Sequence, residues 1–460
     1  MPTILSSLHA LLLVMVSACQ DDRNSPPSLR GPQNGGVLCP LSPGAQHFGY
    51  ITLSAGINCG SSGLYYRYFY GIIEADKSPQ TSPTFLYIGG GLGGSSIGTA
   101  THLHGPCTMD PKGKTQLLNP YSWTENANSI WVDAPGPTGF SLGPIEPGLV
   151  EVVANLANFL RVLFKNHGSL NRDLHLVGNS ASASLVAMLG SIIVRKPQLK
   201  INLKGVMMRY GVVGPLSIYQ GCLTMSRGRR MLPAEELAQM AQDLKTCKTK
   251  IAKCNSGGSG GPPDLGACQD ATTFCESVTH GPVEEKGTSL YDVRAPTDED
   301  DQYFKIKPGP VNEFLNKINV QTELGASKEF VEVNEEVLEA FDKFITYDTT
   351  SFVVDLLNEG IKVVVVAGNY DYITNAIGNL NWMTSLKGKD NYGEKLRAVQ
   401  PKTLKYPKGG VLGTVRALKY ATTGAKIAFI NVTDGGHYSD LNNPRGIQRS
   451  FQDFLYGRLW

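Results

Sequence analysis

The chain has 460 residues, 41% of them hydrophobic and 18% charged, with 51 Gly and 27 Pro. That is the composition of a globular protein able to bury a large core, as one big domain or two modest ones. The formal net charge is only +2 and no dense Lys/Arg block occurs, which excludes the electrostatic footprint of a nucleic-acid or anionic-membrane partner.

The chain opens with an apolar run, Leu11 to Val16, followed by the small-residue pattern Val16-Ser17-Ala18. The pattern predicts a signal peptide over residues 1–18, too short to span a bilayer. A buried N-terminal helix competes with this reading because a basic segment is missing, and "VSAC" also resembles a lipoprotein-type acylation site at Cys19. Residues 19–37, rich in Pro, Asn, Asp and Gly, read as a flexible segment. A secretory route permits disulfides, so Cys39, Cys59, Cys107, Cys222, Cys247, Cys254, Cys268 and Cys275 are expected to form four bridges of open connectivity.

Strands are predicted at 84–89, 129–134, 173–178, 205–211, 361–368 and 425–432, each a short, nearly unbroken apolar run ending near Gly or Asp. Helical patterns lie at 148–168 and 184–197. The alternation predicts an α/β fold with a mostly parallel sheet, built from residues 38–215 and 331–460. Residues 216–330 break the rhythm with five cysteines, "GGSGGPP" and the acidic "TDEDD". They read as a loop-rich, disulfide-stapled insertion over the functional edge of the sheet. The cysteines lack the paired spacing of a zinc site, so no metal is expected, and no internal repeat is visible.

In "HLVGNSASASLV", Ser180 stands between a strand and a helix with Gly178 and Ser182 on either side. Small neighbours are what a nucleophile elbow needs, since the turn is tight and must leave the hydroxyl exposed. A helix-capping Ser fits the same pattern. The turn "GGGLGG" at 89–94 carries five glycines but lacks the dinucleotide spacing and the P-loop Lys, so phosphate binding is not expected. Its N–H groups are instead candidates for an oxyanion hole beside Ser180. Asp371 and His437 each follow a predicted strand. Alone they read as a turn residue and a surface or core His; with Ser180 they give the chain order of an α/β-hydrolase triad.

Taken together the motifs resemble those of the serine carboxypeptidase family, from about residue 45 to 458. "YIGGGLGGSS" resembles W-L-N-G-G-P-G-C-S-S, retaining Gly90, Gly91, Gly93, Ser95 and Ser96. "HGPCTM", "NPYSW", "WVDAPGPTGFS", "YDVR", "AGNYDYITNAIGNLNW" and "DGGHYSD" match further segments. The resemblance implies an α/β-hydrolase fold, with Ser180 as nucleophile, His437 as base and Asp371 orienting the imidazole. It also implies Gly91 and Ala181 as oxyanion donors, substrate contacts at Gly90, Asn179 and Tyr438, and no cofactor.

The departures are equally specific. The family's readers of the substrate carboxylate, an Asn and a hydrogen-bonded Glu pair, correspond to Gly89, Leu103 and Asn179. Leu92 replaces a Pro, Gly94 replaces a disulfide-bonded Cys, and Tyr438 replaces the Met after the His. The expected activity is removal of C-terminal residues from peptides, in a secreted, vacuolar or lysosomal setting. An esterase, an acyltransferase or a catalytically silent relative are the alternatives, so the expected partner is a peptide or ester. Without the Glu pair, activity should follow ionisation of His437 and rise toward neutral pH. Asn431 lies in an N-V-T sequon.

Overall fold

A computed structural model describes residues 33–34, 36–54, 65–110, 116–297, 308–408 and 410–460. The expected signal peptide, Cys19, most of the 19–37 segment and Cys59 lie outside the described residues. The strands are β1 Gln33–Asn34, β2 Ala45–Ser54, β3 Tyr65–Ile73, β4 Thr84–Ile88, β5 Cys107–Met109, β6 Gln116–Leu118 and β7 Asn128–Val132. They continue with β8 Leu174–Asn179, β9 Leu203–Arg209, β10 Lys362–Gly368, β11 Lys402–Tyr406, β12 Gly410–Lys419 and β13 Lys426–Val432. Apart from a small β5–β6 hairpin, they form one sheet in the order β1-β2-β3-β7-β4-β8-β9-β10-β13-β12-β11.

The run from β7 to β13 in that order is parallel, while both flanks are antiparallel. The unbroken apolar runs follow from burial on both faces. Along β10, Val363, Val365 and Ala367 enter the core beneath helices Leu149–Asn166, Ser182–Arg195 and Thr350–Asn358. Val364 and Val366 enter the opposite core, closed by helix Pro444–Leu455. Each such valine taken fully out of water is worth about 1.5–3 kcal/mol, so the central strands are fixed in register by both layers. All three candidate triad positions follow strands of this parallel set.

The cysteine-rich segment is helical rather than loop-rich. Helices Pro215–Arg229, Ala234–Cys254 and Leu265–Thr279 pack around a separate core containing Tyr219, Met240, Leu244 and Ile251. Cys247 bonds Cys275 and Cys254 bonds Cys268, stapling the second helix to the third. The cysteines within each helix stand seven residues apart, on the apolar stripe that also holds Met240, Leu244 and Ile251. The expectation of four bridges is corrected as well. Cys39–Cys107 is the third among the described residues, and Cys222 is a free thiol buried in the insertion core. This layer meets the sheet edge directly. His437 donates its backbone N–H to the Tyr291 carbonyl at 2.7 Å, and the Tyr372 N–H donates to Leu290 at 3.0 Å.

Candidate active site

Ser180 follows β8 with φ +51°, a left-handed conformation that costs a non-glycine residue energy and persists only where the surroundings impose it. The constraints are visible. Ser180 N–H donates to the Arg209 carbonyl of β9 at 2.9 Å, and its own carbonyl accepts from Ala183 at 3.1 Å. A Cβ on Gly178 would lie 2.4 Å from the Ser182 carbonyl, and one on Gly211 would lie 2.1 Å from the Ala183 Cβ. Only small residues admit this turn. The N-cap of the following helix is Ala181, with no side-chain capping bond, so Ser180 does not serve as a cap.

The glycine turn packs against this loop: a Cβ on Gly90 would sit 3.2 Å from the Ser180 Cβ. Gly91 and Gly93 take φ +54° and +132°, and Gly94 N–H closes the turn onto Gly90 O at 3.2 Å. Ser95 caps helix Ser96–His102 and donates to buried Asp133 at 2.8 Å, anchoring the turn from below. Leu92, in place of the resembled Pro, is buried in the core. Among the described residues, neither the Gly91 nor the Ala181 N–H has a hydrogen-bond acceptor, leaving two donors free for a developing negative charge.

Asp371 follows β10 and is fully buried. One oxygen accepts the Thr374 N–H at 3.0 Å; the other accepts the Thr374 hydroxyl at 2.7 Å and the His437 Nδ1 at 3.0 Å. With its proton on Nδ1 and donated to Asp371, the imidazole presents Nε2 as a free base. His437, after β13, is flanked by the rings of Tyr210, Tyr291 and Tyr438 at 4.6, 5.2 and 5.2 Å. Tyr210 follows Arg209, whose carbonyl holds Ser180. The Ser180 turn and the His437–Asp371 pair thus meet around the end of β9.

The positions resembling carboxylate readers hold no carboxylate. Asn179 donates through Nδ2 to the Tyr87 hydroxyl, while its Oδ1 is buried without a partner. Leu103 ends helix Ser96–His102. A Cβ on Gly89 would lie 2.3 Å from the Gly94 carbonyl, so the present turn excludes any side chain there. Half-buried Tyr438 stacks near Tyr291, with ring centroids 6.0 Å apart. Asn431 pairs through its backbone with Ala367 and Thr414, and its side-chain oxygen is buried, so the sequon sits within the sheet.

Sequence reasoning missed Thr374, although a Thr three residues after an Asp in a turn is a recognisable local hydrogen-bonding pattern. It also missed a buried polar group beside the site. Arg209 donates to Asp440 and, at 3.0 Å, to His104 Nε2; the His104 ring stacks on Trp123 at 3.9 Å. Burial lowers His104 to about 3, so it is a neutral acceptor. Burial alone would raise the Asp440 carboxyl, but the Arg209 charge prevails and holds it below the usual range.

A mostly parallel sheet flanked by helices, with a left-handed Ser after one central strand and a His–Asp pair at the same edge, is the layout of an α/β-hydrolase. The serine carboxypeptidase family model matches residues 40–457, and the chain belongs to that family. It is 27% identical over 406 residues to carboxypeptidase Y of Saccharomyces cerevisiae, covering 85% of this chain and 73% of that protein. It is 26% identical over 405 residues to a vacuolar serine-type carboxypeptidase of the same yeast, covering 85% and 77%. The crystal structure of a prohormone-processing carboxypeptidase from S. cerevisiae shares the fold, with a TM-score of 0.73 over 90% of this chain and 92% of that one at 18% identity. The protein is a serine carboxypeptidase-like hydrolase. Among the described residues no helix is long and apolar enough to cross a membrane.

Proposed function

We propose that the chain cleaves C-terminal residues from peptides through an acyl-enzyme, with Ser180 as nucleophile, His437 as general base and acid, and Asp371 as the residue that orients His437. The observation that carries this reading is the His437–Asp371 hydrogen bond at the edge where Ser180 is held left-handed. A Ser hydroxyl is too weak an acid to attack a carbonyl unaided. His437 Nε2 takes its proton as the Oγ–carbon bond forms, then returns it to the departing amine. Water repeats the sequence to release the acid. The free N–H groups of Gly91 and Ala181 stabilise the oxyanion; removing one such donor typically costs about a hundred- to a thousandfold in kcat. Gly90, Asn179 and Tyr438 are the substrate contacts of this reading, and the name of the vacuolar relative supports passage through the secretory route.

The Asn179 side chain, engaged by Tyr87 and carrying no charge, favours a second reading as esterase or acyltransferase, in which a carboxylate on the leaving group is not required. Both readings are tested together. A fluorophosphonate should label the wild type and not Ser180→Ala; no labelling of the wild type would favour a silent relative. Peptides with free and amidated C-termini, assayed beside simple esters, separate peptidase from esterase. Equal cleavage of the two peptides excludes carboxylate recognition, and turnover of esters alone excludes peptidase action.

A further inference from the structure

We infer that the buried Arg209–Asp440 ion pair is the positioning device that holds the His437 turn against the Ser180 turn, an inference that rests on the triad reading above. Arg209 is the last residue of β9 and is 1% exposed, on the strand face it shares with Met207. An arginine at such a position is costly unless its charge is met. It is met by Asp440, 4% exposed, three residues beyond His437 in the short helix Ser439–Asn442. The guanidinium also lies 4.8 Å from the Trp123 ring and 4.9 Å from the Tyr210 ring.

Arg209 therefore touches both halves of the site. Its carbonyl accepts the Ser180 N–H at 2.9 Å and its side chain grips the helix that follows His437. The next residue, Tyr210, donates its N–H to Val366 of β10 at 2.6 Å and lays its ring 4.6 Å from the His437 imidazole. His104 fills the remaining side of the guanidinium as a neutral acceptor, so among the described residues one positive and one negative charge meet there. For stability alone a buried ion pair often does no better than an apolar pair of like volume. What an apolar pair lacks is direction: two charged groups joined through fixed N–H and carboxylate geometry set where the His437 turn sits relative to β9.

The test is the inactivation of the full chain by a fluorophosphonate reagent, with kinact and KI determined separately and normalised to titrated active sites. Asp440→Asn should lower kinact about ten- to a hundredfold, the scale of an ångström-sized misplacement, with KI little changed. The double variant Arg209→Met/Asp440→Leu removes both charges, leaves only the His104 acceptor without its donor, and should still fold while kinact stays low. Arg209→Lys keeps the charge but cannot hold Asp440 and His104 together; it should fold and lose kinact in the same direction. Wild-type kinact in the single variants, or its full recovery in the double variant, would overturn the proposal and leave the pair a structural element only. No labelling of the wild type at Ser180 would remove the triad reading and the proposal with it; labelling that the variants leave unchanged removes the proposal alone.

Discussion

Asp371 has three ligands for two oxygens: the Thr374 N–H, the Thr374 hydroxyl and His437 Nδ1. If it fixes the tautomer of His437, Asp371→Asn should leave the fold intact and place a donor where an acceptor is needed. The expected loss in kcat is about four orders of magnitude with KM nearly constant; a loss under tenfold in steady-state kinetics would show that Asp371 does not orient the base. The Ser180, Asp371 and His437 positions were legible in the sequence because each is a strand-end residue in a turn of small or polar residues. Their supports were legible only where local. Thr374 follows Asp371 by three residues and leaves a trace, whereas Asp440 reaches Arg209 across 231 residues and leaves none.

Among the elements, the predicted central strands and both predicted helices reappear within about two residues of their expected ends, since continuous burial and amphipathic spacing are written directly into those segments. The insertion departs from its loop-rich expectation because its cysteines lie on helices. Cys247 and Cys254, like Cys268 and Cys275, repeat every seven residues, which places them on one helical face beside the apolar stripe. The two bridges then do for this thin layer what a larger core does elsewhere. The Cys254–Cys268 link closes a separation of 14 residues, and its removal in Cys254→Ser/Cys268→Ser should cost about 3 kcal/mol on a chain-entropy account. The layer carries Leu290 and Tyr291, which bond the Asp371 and His437 turns, so calorimetry should show a lowered transition and the activity should fall before the sheet unfolds. An unchanged transition and an unchanged thermal inactivation curve would show that the layer does not depend on this link.

For the molecule as a whole, the balance of buried titratable groups sets its response to acid. Burial lowers His102 and His280 to about 4 and His104 and His175 to about 3, against an ordinary value of 6.5. Below pH 6.5 the unfolded chain takes up protons that these four cannot accept while folded, so they make stability fall as pH falls. Burial acts oppositely on carboxyls. Glu146 and Glu276 are raised to about 7 and Glu332 is raised well above 4.5. These are protonated in the folded protein while their unfolded forms are still ionised, so between pH 7 and 4.5 they make stability rise as pH falls. Over that interval the three carboxyls offset three of the four histidines. Below about 4.5 these carboxyls are protonated in both states and contribute no further slope, while His102 and His280 continue to about pH 4 and His104 and His175 to about pH 3. Asp440, held low by Arg209, then begins to lose its charge and adds to the fall. Urea unfolding midpoints are therefore expected to fall gently between pH 6.5 and 5, by the one histidine left unmatched, and more steeply below about 4.5, at up to ~1.4 kcal/mol per pH unit for each unmatched proton. A decline as steep between pH 6.5 and 5 as below 4.5 would mean that the buried carboxyls are ionised in the folded protein and offset nothing.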